Sequence, residues 1–387
     1  MKYKMALEIT LPIILIIFCA YIIHTNNHPA TRAIFADGID TDNDIVDADK
    51  NYDNQQLYAA AVALAASSQK ITYQITSSTP QFVILSFDGS KSVSTLDDTL
   101  AFEEKMRAEN KPLHFTYFIN AAYFLTQDKS QLYKSPREKA GVANIEFSTS
   151  TQCVADRVKE FNKALAEGNE IGSHTAGHFN GSTWSYSEWK QEFDSFTSIM
   201  EHVQQNNYPQ QIDTPAFLSN IRGFRAPELG VNENLYKVLK DLAFKYDASG
   251  IGADNKWPYK DEYGIWHIPL GIVFVGTNTK PVVSTDYNIW ARESNEKDIA
   301  MRGTPLWDKY FNETKTAYKN YFNSNYNGNR APVLIANHFS KLNDGVYWEA
   351  MKAFAEEVCG LPQVRCATYG ELVDYLNTSG APQLAKR

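Results

Sequence analysis

The sequence predicts an α/β chain whose largely parallel sheet closes into a distorted (β/α) barrel. Three observations carry that expectation. Residues 82–88 form a continuous apolar run, as a strand buried on both faces requires. Segments with helical spacing alternate with strand-like segments along the rest of the chain, and that alternation makes parallel pairing the default. Finally, Asp88, His174, Arg225, Asp247 and His338 each fall at the end of a strand segment, where barrel chemistry gathers.

Taken in order, 82–88 is followed by a helix over 95–110, with Thr95 and Asp98 spaced as a capping box. The next strand is 114–120. Val154, Val158, Phe161 and Leu165 then recur at helical spacing, and Gly168 is placed to end that helix. A short strand at 170–173 runs into His174-Thr175-Ala176-Gly177-His178. A helix over 185–206, a strand at 223–227, a helix over 232–242 and the segment 245–249 follow. Residues 266–275 read as one apolar strand and 285–328 as a largely helical insertion. The last strong strand is 332–338, leading to a helix over 347–358.

Length and composition bound the rest. The 387 residues fit one large α/β domain or two small ones, and hydrophobic content is 43% with mean hydropathy −0.39. A net charge of −8 and a pI near 5.6 argue against a nucleic-acid partner held through phosphates. Lys2 and Lys4 precede the apolar run 11–23, which suits a signal peptide or an uncleaved anchor and so predicts export. The protein would then be periplasmic, extracellular or anchored facing outward, touching membrane only through this segment if it stays uncleaved. The expected organisation is a targeting segment at 1–24, a flexible acidic tether at 25–56 and a catalytic domain at 57–387. Asp37 to Asp44 is dense in carboxylates, but no glutamate sits where a calcium loop needs one. Cys359 and Cys366 are close enough in sequence to pair in an oxidising compartment.

Two histidines four residues apart would share one face of a helical turn, and imidazole suits zinc and similar divalent metals. With a carboxylate, an arginine, a second carboxylate and a further histidine, the set fits metal-assisted hydrolysis. Asp88 would take the proton of a water, Arg225 would orient Asp88, and His338 would donate to the leaving atom with Asp247 tuning it. Each also has a structural use. Asp88 could cap a helix, Asp247 could form a turn, and His338 could be satisfied by backbone.

The order of these residues resembles the polysaccharide deacetylase family, the NodB-homology enzymes of carbohydrate esterase family 4. The resemblance rests on Ser86-Phe87-Asp88-Gly89-Ser90, the 174–178 histidine motif, Arg225-Ala226-Pro227-Glu228, Tyr246-Asp247-Ala248-Ser249 with Trp257 beyond it, and Ile335-Ala336-Asn337-His338. It implies a barrel of the NodB type with fewer than eight repeats. It also implies removal of N-acetyl groups from a chitin-like or peptidoglycan-like polysaccharide. The implied cofactor is a divalent metal, zinc foremost, on Asp88, His174 and His178. Glu228 and Trp257 would lie by the substrate, the Glu228 backbone N–H serving the oxyanion. Two positions depart from the family pattern. Gly89 stands where a metal-binding aspartate is usual, so either Asp88 has entered the metal shell or the metal rests on two histidines and water. Glu228 replaces an aromatic. A carbohydrate-binding protein that has lost turnover is the alternative.

Overall fold

The computed structural model describes residues 79–276 and 280–378. The expected boundaries at 24/25 and 56/57, and the apolar run 11–23, lie outside them. Among the described residues no helix is long and apolar enough to cross a membrane.

The chain begins β1 (Gln81–Asp88), α1 (Val93–Ala108), β2 (Phe115–Ile119), α2 (Thr151–Ala166), β3 (Glu170–Ser173) and α3 (Tyr186–Glu201). It continues through β4 (Gly223–Phe224), α4 (Glu233–Asp241), β5 (Tyr246–Asp247), β6 (Tyr259–Lys260) and β7 (Trp266–His267). The hairpin β8 (Ile272–Val275) and β9 (Lys280–Val283) precedes α5 (Asp286–Ser294) and α6 (Pro305–Tyr326). Then come β10 (Val333–His338), α7 (Leu342–Val358), β11 (Val364–Cys366) and α8 (Tyr369–Leu376). Caps follow the local chemistry. Ser185 and Glu188 form a reciprocal capping box on α3, and Thr368 with Glu371 forms another on α8. The start of α1 differs from expectation. Ser92 is its N-cap, accepting from the Thr95 N–H, so the helix begins before the proposed Thr95 box.

One sheet runs β10-β1-β2-β3-β4-β5-β7-β6, with β11 also pairing β1. Every pairing is parallel except β6 with β7. The sheet curls into a half-barrel with helices around it, a distorted (β/α) barrel. Its open side is bridged by one residue: the Ser284 N–H donates to Gly271 O at 2.9 Å, and the Ala336 N–H donates to Ser284 O at 3.0 Å. The apolar run expected as one strand over 266–275 is broken. Residues 266–267 join the barrel, whereas 272–275 turn into the antiparallel pair with β9.

All eight residues of β1 are buried, because β1 is central and covered on both faces. Phe87 packs against Phe115, Tyr117, Phe339 and Trp348 with ring centroids 5.3 to 5.9 Å apart. Each such aromatic pair adds about 0.5–1.5 kcal/mol beyond area burial. Cys359 and Cys366 form a disulfide that ties the end of α7 to β11.

Candidate active site

Strand register brings the expected residues to one end of the barrel. Asp88 and His338 close β1 and β10 and are register partners, so their side chains share a face. In the same way Phe224 is opposite both Ser173 and Asp247, which sets Arg225 and His174, one residue further on, beside each other.

Arg225 is fully buried and crosses the barrel interior. Its Nη1 donates to Asp88 Oδ1 at 2.7 Å and to Ser86 Oγ at 3.0 Å. Nη2 donates to Tyr369 Oη at 2.7 Å, and Nε to Ala248 O at 3.1 Å. The guanidinium also lies 4.4 Å from the Phe118 ring centroid. With the charge so surrounded, the expected ion pair with Asp88 is present and dry.

His174 and His178 do come together, their ring centroids 5.0 Å apart. The local structure is not the helical turn expected, however. Residues 174–178 form a loop in which Thr175 and His178 have φ of 64° and 63°. His174 Nδ1 lies 2.8 Å from Arg225 O, and a carbonyl can only accept, so Nδ1 carries a proton and donates it there.

His338 has a different carboxylate from the one expected. Its Nδ1 donates to Asp286 Oδ1 at 2.6 Å, and its backbone N–H donates to Asp286 Oδ2 at 2.9 Å. Asp247 is bonded elsewhere. Its Oδ1 accepts from the Ser249 N–H at 3.1 Å and from the Ser249 hydroxyl, and its Oδ2 is 3.7 Å from His267 Nδ1. On His267 Nε2, Asp261 makes a second contact at 2.8 Å. Burial acts to lower the His267 pKa, but the bonds to Asp247 and Asp261 outweigh it and raise it. Asp286 was missed because it stands in the insertion read as helical; the available signal was a carboxylate opening a helix just after an apolar pair, Val282-Val283.

Glu228 lies in a left-handed kink, φ 51° at both Glu228 and Leu229, after Pro227. Its carboxylate accepts from Asn180 Nδ2 at 2.9 Å and Asn144 Nδ2 at 3.4 Å. Trp257 is buried in the cluster that includes Tyr246, Ile268 and Leu270, and its indole N–H donates to Asn329 O at 2.9 Å.

Among the described residues no three His, Cys, Asp or Glu side chains form a group that could hold a metal. Asp88 is engaged by Arg225. A further oxygen is nearby. Asn120 is fully buried, and its Nδ2 donates to His174 O, which fixes the other amide atom as oxygen. That Oδ1 has no hydrogen-bond partner. It would lie 4.0 Å from a Cβ placed on Gly89. Imidazole and amide oxygen are donors that a borderline divalent ion accepts.

No family model matches the chain, and no curated protein matches it. Among solved structures, a few proteins show a distant similarity to the chain. A Mycobacterium smegmatis protein provisionally assigned as a polysaccharide deacetylase shares 16% identity over 82% of this chain and 97% of its own, with a TM-score of 0.49. The peptidoglycan deacetylase PdaC of Bacillus subtilis shares 13% over 78% of this chain and 94% of its own, at a TM-score of 0.38. A CE4 family pseudoenzyme from Bacillus anthracis shares 13% over 77% of this chain and 66% of its own, at 0.39. The fold and the site described above stand on this chain's own contacts.

Proposed function

We propose that the chain is an exported hydrolase of the polysaccharide deacetylase type, removing N-acetyl groups from a chitin-like or peptidoglycan-like polysaccharide with the help of a divalent metal, zinc foremost. The observation that carries this reading is the Asp88 and His338 pair. They are register partners on adjacent strands, each clamped from behind, by Arg225 and by Asp286.

Asp88 is the base: it takes a proton from the water that attacks the acetamide carbon. Arg225 holds its carboxylate oriented in a dry setting. His338 is the acid: as the imidazolium it gives its Nε2 proton to the leaving nitrogen and is left as the Nδ1-protonated neutral ring, whose Nδ1–H Asp286 holds throughout. Water and the amide thus become acetate and an amine. The Glu228 backbone N–H is the candidate oxyanion donor. His174 and His178 would hold the ion, with Asn120 the nearest uncharged oxygen; when bound, it supplies Lewis-acid polarisation of the carbonyl.

The second reading is a deacetylase-like carbohydrate-binding protein without turnover. It is favoured by Gly89, which leaves the histidine pair without a carboxylate. Acetate release from chito-oligosaccharide and peptidoglycan, with and without chelator, separates the two. Chelator-sensitive release abolished by His174→Ala is expected; glycan binding with neither release nor bound metal would establish the second reading.

A further inference from the structure

We propose that Glu192 is the positioning residue of the histidine pair, setting both imidazoles through the backbone of the loop between them. The proposal deepens the functional reading above and rests on it for what the imidazoles do. Glu192 lies on α3 and is fully buried. Its Oε1 accepts from two consecutive backbone amides, Ala176 at 3.0 Å and Gly177 at 2.8 Å. Both amides lie strictly between His174 and His178. The Tyr133 hydroxyl contacts the same carboxylate, 3.1 Å from Oε1 and 2.9 Å from Oε2.

Three physical points turn this into a role. First, a carboxylate with no exposure, facing amides and a phenol rather than a cation, is a costly group to keep merely for filling space. Consecutive N–H groups around an anion form a nest, which fixes backbone direction as well as position. Second, the loop needs such fixing. Thr175, β-branched, and His178 both hold left-handed φ, a conformation that persists only when surroundings over-determine it. Third, the contact is built to close tolerance. A Cβ on Gly177 would come within 2.4 Å of Tyr133 ring and hydroxyl atoms, so the phenol braces the loop where only glycine fits. The far end of His174 is pinned separately, by Arg225 O. The loop's carbonyls are held elsewhere, Thr175 O, Ala176 O and Gly177 O accepting from the Ala121, Ala122 and Asn144 N–H groups, so removing Glu192 takes away the amide side of the fixing and loosens His178 first.

The test uses the full chain with Glu192→Ala and Glu192→Gln, the latter keeping an oxygen that can accept both amides. Long-range proton–nitrogen NMR of the histidine rings reads the metal-free protein, and competition with a chromophoric chelator reads zinc affinity. In Glu192→Ala the His178 ring signals should shift or broaden while those of His338 stay fixed, and zinc affinity should fall about 10- to 100-fold. Glu192→Gln should restore both to within about threefold of wild type. Ring signals of His174 and His178 unchanged in a folded Glu192→Ala protein would overturn the proposal whether or not zinc binds. A loss of melting temperature alone, with histidine signals unchanged, would show a structural role only. Wild-type protein that binds no zinc and releases no acetate would sink the functional reading separately, since the ring signals still decide the role of Glu192.

Discussion

One carboxylate grips His338 twice: Asp286 accepts from the ring Nδ1 at 2.6 Å and from the backbone N–H at 2.9 Å. The first bond fixes the tautomer and the second fixes the ring's origin, so the histidine can neither flip nor swing. Asp286→Asn keeps the volume and loses the acceptor charge. It should lower kcat about 100-fold, within the range set by general acid catalysis. Asp247→Asn, at the aspartate the sequence favoured, should leave the rate within about tenfold of wild type. Steady-state acetate release by the two variants checks the ranking, and a larger loss in Asp247→Asn would reverse the assignment.

Arg225 and Asp88 form a buried pair, so breaking one side is worse than removing both. Arg225→Met should cost about 3–5 kcal/mol by leaving Asp88 uncompensated. Adding Asp88→Asn to that variant should recover part of the loss, the signature of coupled sites. Chemical denaturation of the two single variants and the double variant closes the cycle. Purely additive effects would mean that the ion pair is energetically idle.

Gly89→Asp should strengthen zinc binding by about tenfold or more, by placing a carboxylate beside a neutral donor set. Space allows it, since the nearest atom to the new Cβ is Asn120 Oδ1 at 4.0 Å. The backbone resists it, because φ is +80° there, at a cost of about 1–2 kcal/mol for a residue with a side chain. A tighter but less stable protein is the expected outcome. Chelator competition and thermal melts test the two halves independently, and unchanged affinity would place the ion away from residue 89.

Burial pushes the Glu293 carboxyl up to about 8. Its Oε2 accepts from the Tyr347 hydroxyl at 3.0 Å, while Oε1 is buried without a partner. Because the folded-state value is raised, the neutral acid is the form that the fold prefers. Its stability contribution is complete below the unfolded value, near 4.5, and is lost as pH rises through about 8. Glu293→Gln should thus match wild type near pH 5 and exceed it above pH 8, by about 1–3 kcal/mol. Denaturation midpoints across pH would show the gap opening, and a constant difference would place the titration elsewhere.

Much of the site was readable because its residues end contiguous apolar runs. Asp88 closes 82–88 and His338 closes 332–338, and buried strands announce themselves by composition. The histidine pair was found by spacing, although the supposed helical turn is a loop whose left-handed residues leave no trace in sequence periodicity. What stayed hidden depends on contacts that no local pattern encodes. Asp286 meets His338 across 52 residues, from the opening of a helix after the unpredicted β8–β9 hairpin. Asp247 stands near the motif, and its carboxylate contacts Ser249, two residues on, and His267. Strands β4 and β5 have only two residues each, too short for alternation to show.

Arg225 binds the Asp88 carboxylate, but it also joins Ser86, Ala248 and Tyr369 across the barrel. A descendant that abandoned hydrolysis could shed His174 or His178 with little harm to folding, whereas shedding the arginine would unstitch the interior. Drift toward a silent protein should therefore erase the imidazoles early and the guanidinium last. An arginine retained in such a lineage would record architecture rather than activity.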